Sequence, residues 1–118
     1  MNISEEANAK NIAKECALLL DSKKAEEIVL MDLRNINSYF DLFIITTGNS
    51  FMHCRSLARE LQKFLKNKNI QQRNNPNMES GWIILDYDEI IIHVFTRELR
   101  DYYQLEKLWA DATVIPFA

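Results

Sequence analysis

Glycine is scarce in this chain, with only Gly48 and Gly81 among 118 residues. Loops that cradle phosphates need several glycines at fixed spacing, and neither GxGxxG nor GxxxxGK[ST] occurs in the sequence. The stretch Gly48-Asn49-Ser50 precedes a helical pattern, and helix N-termini attract anions. Because a single glycine does not make a phosphate loop, we favour a strand-to-helix turn at this position over a nucleotide site.

Cysteines and long apolar runs are also scarce. Cys16 and Cys54 both fall on the apolar side of helical patterns, so they are better interpreted as buried thiols than as a disulfide or a metal site. No apolar run approaches the ~20 residues that a membrane helix needs. The first residues, MNISEEANAK, are too polar for a signal peptide. We therefore expect a cytoplasmic protein that makes no membrane contact.

Basic residues are fewer than acidic ones, 14 against 17, which gives a net charge of -3 and a pI of about 5.4. This balance argues weakly against broad phosphate binding and predicts little or no direct contact with nucleic acid. Lys63, Lys66, Lys68 and Arg73 form a small basic cluster that is interpreted as a solvated helix end or as a minor contact to RNA phosphate. A protein partner fits the composition better.

What the chain does have is a globular composition, with 47% hydrophobic and 26% charged residues. It predicts one domain over residues 1–118, with a core at about 4–112. Ser4 is the expected cap of the first helix. Apolar spacing predicts helices at residues 4–21, 50–68 and 97–112 and strands at 27–33, 41–47, 82–87 and 89–96, while the tail at 113–118 is expected to pack loosely or lie free. The order indicates an α/β fold with a mixed sheet flanked by helices.

Two acids near the predicted hairpin turn offer a catalytic interpretation. Asp86 and Asp88 stand at i and i+2, so on a strand they would share a face and could hold magnesium, as in a metal-dependent nucleotidyltransferase. A third acid would be needed, and Asp32 and Asp41 are candidates. Asp is also a favoured turn residue, so the turn interpretation of Asp88 is preferred.

The two strands of the predicted hairpin carry the other candidate site residues. Alternation places Trp82, Ile84 and Asp86 on one face of the first strand. In the second strand, His93 shares a face with Ile91 and Phe95. His93 could act as a base, a ligand or a hydrogen-bonded structural residue, and a structural or interface role is favoured. Trp82, beside a solvated carboxylate, is an interface candidate because Trp combines a large apolar area with an N–H donor.

These features, in order, resemble a known family. The matching segments are DLFIITTGNS at 41–50, GWIILDYDEIIIHVF at 81–95, Arg100, Tyr103, LEKLW at 105–109 and Asp111-Ala112. Together they resemble the Iojap-related ribosomal silencing factors. The chain departs from the family pattern at Asp88-Glu89, where the family usually has Gly-Asp, and in the loop at 74–78. Both departures lie in loops and put the hairpin geometry and loop contacts in question.

The resemblance implies a nucleotidyltransferase-like fold without a catalytic set, and therefore no enzyme activity, cofactor or metal. It implies binding to the large ribosomal subunit through the ribosomal protein numbered fourteen at the subunit interface, a block to subunit joining, and repression of translation. It also implies homodimers. Trp82, Ile84 and Asp86 would anchor the contact, and His93 and Arg100 would support it. The alternatives are the metal-dependent nucleotidyltransferase and a large-subunit assembly factor without silencing activity.

Overall fold

The computed structural model describes residues 3–117, with side chains from residue 8 onward. The capping hydroxyl expected at Ser4 therefore lies outside the described side chains. The elements are α1 (Ile3–Ser22), β1 (Glu26–Asp32), β2 (Leu42–Gly48), α2 (Phe51–Asn67), β3 (Trp82–Asp86), β4 (Ile90–Thr96), α3 (Arg97–Tyr103), α4 (Leu105–Leu108) and β5 (Thr113–Val114).

The strands form one sheet of five strands in the order β3-β4-β2-β1-β5. β2 and β4 are parallel, while the β1–β2, β3–β4 and β1–β5 pairs are antiparallel. Every residue of β2 is buried, as its run of β-branched and aromatic residues predicts. The predicted mixed sheet flanked by helices is thereby confirmed.

The two faces of the sheet are covered differently. Buried residues of α1 and α2 pack on one face, together with alternate residues of the strands such as Ile83, Leu85, Ile92 and Val94. The opposite face carries a smaller, aromatic-rich cluster around Phe43 and Phe95, against which the C-terminal segment packs. The candidate site lies on this second face.

The turn from β2 to α2 is a close-packed structural turn, as predicted. The Ser50 hydroxyl accepts a hydrogen bond from the His53 N–H at 3.0 Å and so caps α2. A Cβ at Gly48 would lie 2.7 Å from the Cys54 Sγ, so a side chain there would clash with the start of the helix. Gly48 is therefore explained by helix packing, without any need for a phosphate.

Both cysteines are buried free thiols, which confirms the prediction. Burial raises the pKa of Cys16 to about 12 and also raises the pKa of Cys54. These thiols are consequently protonated at neutral pH, and they serve as packing groups.

The C-terminal segment differs from the prediction of one continuous helix at 97–112. The helix ends at Gln104, which adopts a left-handed conformation with φ of 47°. The chain changes direction there, and α4 then brings Leu105 and Trp109 against the aromatic-rich face. A straight helix would leave part of this apolar surface in water, so packing on the sheet favours the break.

The prediction of a loosely packed or free tail is wrong. Thr113 and Val114 pair with β1 as β5, and the Ile115 N–H donates to the Leu30 carbonyl at 2.8 Å. The Ile115 side chain is buried in the main core. A short strand with one buried anchor therefore covers the outer edge of β1.

None of the described helices combines the length and apolar character required to cross a membrane.

Candidate functional site

The candidate site lies on the outer strands of the sheet, on the face opposite α1 and α2. The register pairs Trp82 with Phe95, Ile84 with His93 and Asp86 with Ile91. Directly paired residues point to the same side of a sheet, so the two sets predicted from alternation lie on one face. We define the contact face as Trp82, Ile84, Asp86, Ile91 and Tyr103.

The indole of Trp82 is held in a fixed orientation. Its Nε1–H donates to the Nδ1 of His93 at 3.0 Å. Its ring stacks on Phe95, with the centroids 4.9 Å apart, and it contacts Tyr103 at 4.8 Å. The half-buried side chain is thus preorganised, and little conformational freedom remains to be lost when a partner binds.

His93 supports this arrangement from beneath the surface. Its side chain is only 5% exposed, and its ring lies edge-on to Phe43 with a centroid distance of 4.6 Å. Burial lowers the pKa of His93 to about 4, so the imidazole is neutral at physiological pH. Because Nδ1 accepts the indole proton, the ring proton belongs on Nε2. Within the described chain, Nε2 is buried without a hydrogen-bond partner.

No nucleophile reaches His93 from α2. His53 is engaged at both ring nitrogens, with Nδ1 accepting from the Asn49 N–H and Nε2 lying 2.9 Å from the Lys23 carbonyl. Cys54 belongs to the core on the opposite side of the sheet, and its thiol donates to the Phe95 carbonyl. Cys54 therefore lies on the face of the sheet opposite His93, and His53 is engaged by Asn49 and Lys23.

Asp86 and Asp88 form a hairpin turn. The Asp88 N–H donates to the Asp86 Oδ1 at 2.8 Å, and Asp88 has a φ of 71°, a left-handed conformation that Asp tolerates. Asp32, a proposed third acid, pairs instead with Arg34 and Lys10. Between residues 8 and 117, no group of three or more His, Cys, Asp and Glu side chains is arranged to hold a metal ion. The turn interpretation is confirmed.

The outer edge of β3 is covered by side chains from the preceding loop. Asn74 donates to the Ile84 carbonyl at 2.8 Å and accepts from the Asp86 N–H at 3.0 Å. The Ser80 hydroxyl accepts from the Trp82 N–H. These bonds occupy backbone groups that an incoming strand would use, so a partner is expected to meet this region through side chains. The polar composition of residues 69–80 left open a loop or an edge strand and gave no sign of this role.

Arg100 is a buried residue that joins three elements. Its Nη1 donates to the Glu27 carbonyl at 2.6 Å and to the Thr47 hydroxyl at 3.0 Å, and the side chain is 4% exposed. Its Nε lies 3.4 Å from the Glu106 Oε1, an ion pair without hydrogen-bond alignment. Glu27 has a φ of 46° beside an irregularity in the β1–β2 register, and Arg100 binds the carbonyl exposed there. Its guanidinium therefore supports the fold behind the contact face.

Three exposed aromatic and apolar side chains, one of them in the contact face, were not predicted as site residues. Tyr103 is 48% exposed and packs on Trp82, while Tyr102 lies edge-on to Tyr103. Leu108 on α4 is exposed as well. The sequence held a signal in the adjacent pair Tyr102-Tyr103, because neighbouring residues of a helix point in different directions and at least one of two adjacent aromatic rings then stays in solvent.

The fold and the site define a small α/β protein with a partly exposed, largely apolar contact face. A family model described as ribosomal silencing factor during starvation matches residues 6–118. A ribosomal silencing factor of Bacillus subtilis is 37% identical over 106 residues, covering 89% of this chain and 90% of the relative. The chain belongs to the family of ribosomal silencing factors, as the resemblance in its motifs indicated.

Further comparisons agree with this assignment. The crystal structure of a Chromobacterium violaceum protein superposes with a TM-score of 0.77 at 30% identity, covering 93% of this chain and 88% of that one. A mouse protein named for the mitochondrial assembly of the large ribosomal subunit is 29% identical over 97 residues, which are 77% of this chain and 42% of the relative. The family is therefore associated with the ribosome.

Proposed function

We propose that this chain represses translation by occupying the large ribosomal subunit at the surface where the small subunit joins. The contact face would dock on the ribosomal protein numbered fourteen, and the bound protein would exclude the small subunit sterically. The observation that carries this proposal is the fixed Trp82 indole beside half-buried Ile84 and Ile91. Family membership supplies the ribosome as the partner.

The physical character of the contact face suits a protein partner. Aromatic and aliphatic side chains in fixed positions dominate the energetics of protein interfaces. Asp86 and Tyr103 place polar atoms at the rim of this apolar surface, where they can fix the register of the bound partner. His93 and Arg100 act behind the surface, the first by orienting Trp82 and the second by joining α3 to β1 and β2.

Co-sedimentation with separated subunits tests the docking. Ile84→Asp places a charge at the centre of the contact face and is expected to weaken large-subunit binding at least tenfold, since an unpaired charge would be desolvated on docking. The matched control is Leu18→Asp on α1, where an equally apolar side chain is 47% exposed outside the contact face. Equal binding by the two variants, with both folded by circular dichroism, would remove the contact face from the proposal.

Trp82→Ala is a second test of the same face. It is expected to weaken large-subunit binding while leaving the fold largely intact. Because the indole stacks on Phe95 and Tyr103, we expect some loss of stability as well, so binding is best measured well below the melting temperature. A mutant that co-migrates with the large subunit as well as the wild type would show that the assignment of Trp82 is wrong.

If the protein represses translation by excluding the small subunit, it must lower the fraction of subunits that join into ribosomes. Added protein is expected to reduce the joined fraction in a subunit-joining assay, and Ile84→Asp is expected to have a much smaller effect. The second candidate function, large-subunit assembly without silencing, is favoured by the name of the mouse relative. Tight large-subunit binding that leaves subunit joining unchanged would select that function.

We further propose that the protein works without catalysis, in the cytoplasm, and that it self-associates through the contact face when no ribosome is present. A nucleotidyltransferase would bind nucleotide triphosphate with magnesium and lose that binding in Asp86→Asn. Calorimetry with both ligands is expected to give no binding heat.

Sedimentation velocity of wild type and Ile84→Asp tests self-association, because a dimer formed by the contact face would dissociate in the variant.

A further inference from the structure

The charges of this acidic protein are strongly segregated. Residues 51–73, which include α2, hold six of the 14 basic residues and one of the 17 acidic residues, a local charge of +5. The rest of the chain holds eight basic and 16 acidic residues, a charge of -8, and the two parts sum to the net -3. The net charge therefore conceals a basic region on an otherwise acidic molecule.

Four of these cations form a stripe along α2, which we call the basic stripe: Arg55, Arg59, Lys63 and Lys66. At 3.6 residues per turn they fall within roughly 80° of the helix circumference and extend over roughly 16 Å. The buried residues of α2 occupy the opposite side of the helix, namely Cys54, Leu57, Ala58, Leu61 and Leu65. The stripe therefore faces away from the sheet.

The basic stripe is largely uncompensated. Arg55 pairs with Glu79 at 3.1 Å, whereas within the described part of the chain Arg59, Lys63 and Lys66 are exposed and make no ion pair. Lysine near a helix C-terminus is explained by the macrodipole, but Arg55 and Arg59 lie in the first half of α2, and its first turn contains no acid. Helix stability alone does not account for this arrangement.

We infer that the basic stripe binds the phosphate backbone of RNA. Cations aligned along an exposed helix are the electrostatic footprint of phosphate recognition, and they carry no base specificity. The acidic remainder of the molecule repels a polyanion, so it orients the protein with α2 toward the RNA. This inference deepens the proposed function and rests on it for the identity of the RNA, which would be the ribosomal RNA of the large subunit.

The two surfaces fit one ribonucleoprotein partner. The basic stripe and the contact face lie on opposite sides of the sheet, and α2 packs across β2, β4 and β3, the last of which is the edge strand that carries Trp82 and Ile84. A partner that reaches around this edge can offer protein to one side and RNA to the other. The protein contact would give specificity, while the RNA contact would add affinity that depends on salt.

A salt titration with a fluorescently labelled RNA hairpin tests the inference. Four phosphate contacts predict a slope of log K against log salt of about -3, which is a loss of affinity on the order of 50-fold between about 50 and 200 mM salt. The double variant Arg59→Gln with Lys63→Gln is expected to reduce the slope to about half. The charge-matched control, Lys14→Gln with Lys24→Gln, changes two lysines of α1 and the turn after it and is expected to leave the slope unchanged.

The same variants in co-sedimentation with large subunits separate this inference from the proposed function. If the wild type follows the large subunit and the stripe variant does so with a reduced salt dependence, both hold. Identical salt slopes for the stripe variant and the control variant would overturn the basic stripe while leaving the proposed function intact. If the wild type does not follow the large subunit, the proposed function fails. The salt titration with the RNA hairpin then tests by itself whether the basic stripe binds RNA. The inference would also be overturned if the wild type bound anionic lipid vesicles but did not bind the RNA hairpin.

Discussion

Acidification from about pH 7 to about pH 5 is expected to destabilise the protein through His93. Burial holds the pKa of this imidazole at about 4 in the folded protein, against its ordinary 6.5. Below pH 6.5 the unfolded chain therefore binds a proton that the native state does not bind. Stability is unaffected by this group above pH 6.5 and falls as the pH drops toward 4, by about 1.4 kcal/mol per pH unit within that window. Between pH 7 and pH 5 the loss is about 2 kcal/mol.

Urea unfolding at the two pH values measures this loss. With a urea dependence typical of small domains, the midpoint is expected to fall by roughly 1 M. His93→Gln is the matched variant, because the Gln carbonyl can accept the Trp82 indole proton but does not titrate. Between pH 7 and pH 5, the free energy of unfolding of His93→Gln is expected to fall by about 2 kcal/mol less than that of the wild type.

The comparison between wild type and variant removes the contribution of other groups. Arg34 lowers the pKa of Asp32 by hydrogen bonding, so that carboxylate loses its stabilising effect only as the pH falls toward its lowered pKa, equally in both proteins. The difference between the two pH profiles therefore reports His93. Equal losses in wild type and His93→Gln would refute the assignment of a buried neutral imidazole beneath Trp82.

Two further substitutions test the structural supports of the contact face. Asn74→Ala removes two hydrogen bonds to the outer edge of β3 and is expected to lower the free energy of unfolding by about 1–2 kcal/mol, measured by urea unfolding, whereas Asn75→Ala at the neighbouring exposed position should have little effect. Arg100→Ala leaves buried partners unpaired and is expected to cost about 3–5 kcal/mol in the same measurement. Arg97→Ala removes exposed ion pairs and should cost much less, so a similar loss in both arginine variants would contradict the structural role of Arg100.

Local patterns were sufficient to predict most of the elements. The apolar run of β2 indicated a strand buried on both faces, and Asp88 indicated the turn between β3 and β4. The strand-to-helix turn before α2 and the burial of both cysteines also followed from local sequence. Each of these features depends on residues close together in the chain, where the chemistry of side chains and backbone acts directly.

The features that could not be predicted depend on distant residues. Alternation placed Trp82 and His93 on faces of their own strands, but only the register of β3 with β4 brings the indole within bonding distance of the imidazole. Arg100 was assigned as a support of the partner contact, and its burial could not be predicted because it depends on a carbonyl that the irregular backbone at Glu27 presents. The break at Gln104 likewise follows from packing on the sheet, and no glycine or proline near it marks the end of a helix in the sequence.

The single parallel ladder has a consequence for the order of folding. β1 pairs with its sequence neighbour β2, and β3 pairs with its sequence neighbour β4, so each half of the sheet can form locally. The β2–β4 ladder joins the halves and must close a loop that contains α2 and β3, and the short β1–β5 pair closes a still longer loop at the other side of the sheet. Such non-local pairing is slow, because chain entropy is lost before the contacts form. Phe43 on β2 completes the packing around His93. We therefore expect the contact face to reach its final packing only when the β2–β4 ladder has formed. The speed of folding would then set the delay between synthesis of the chain and its first binding event.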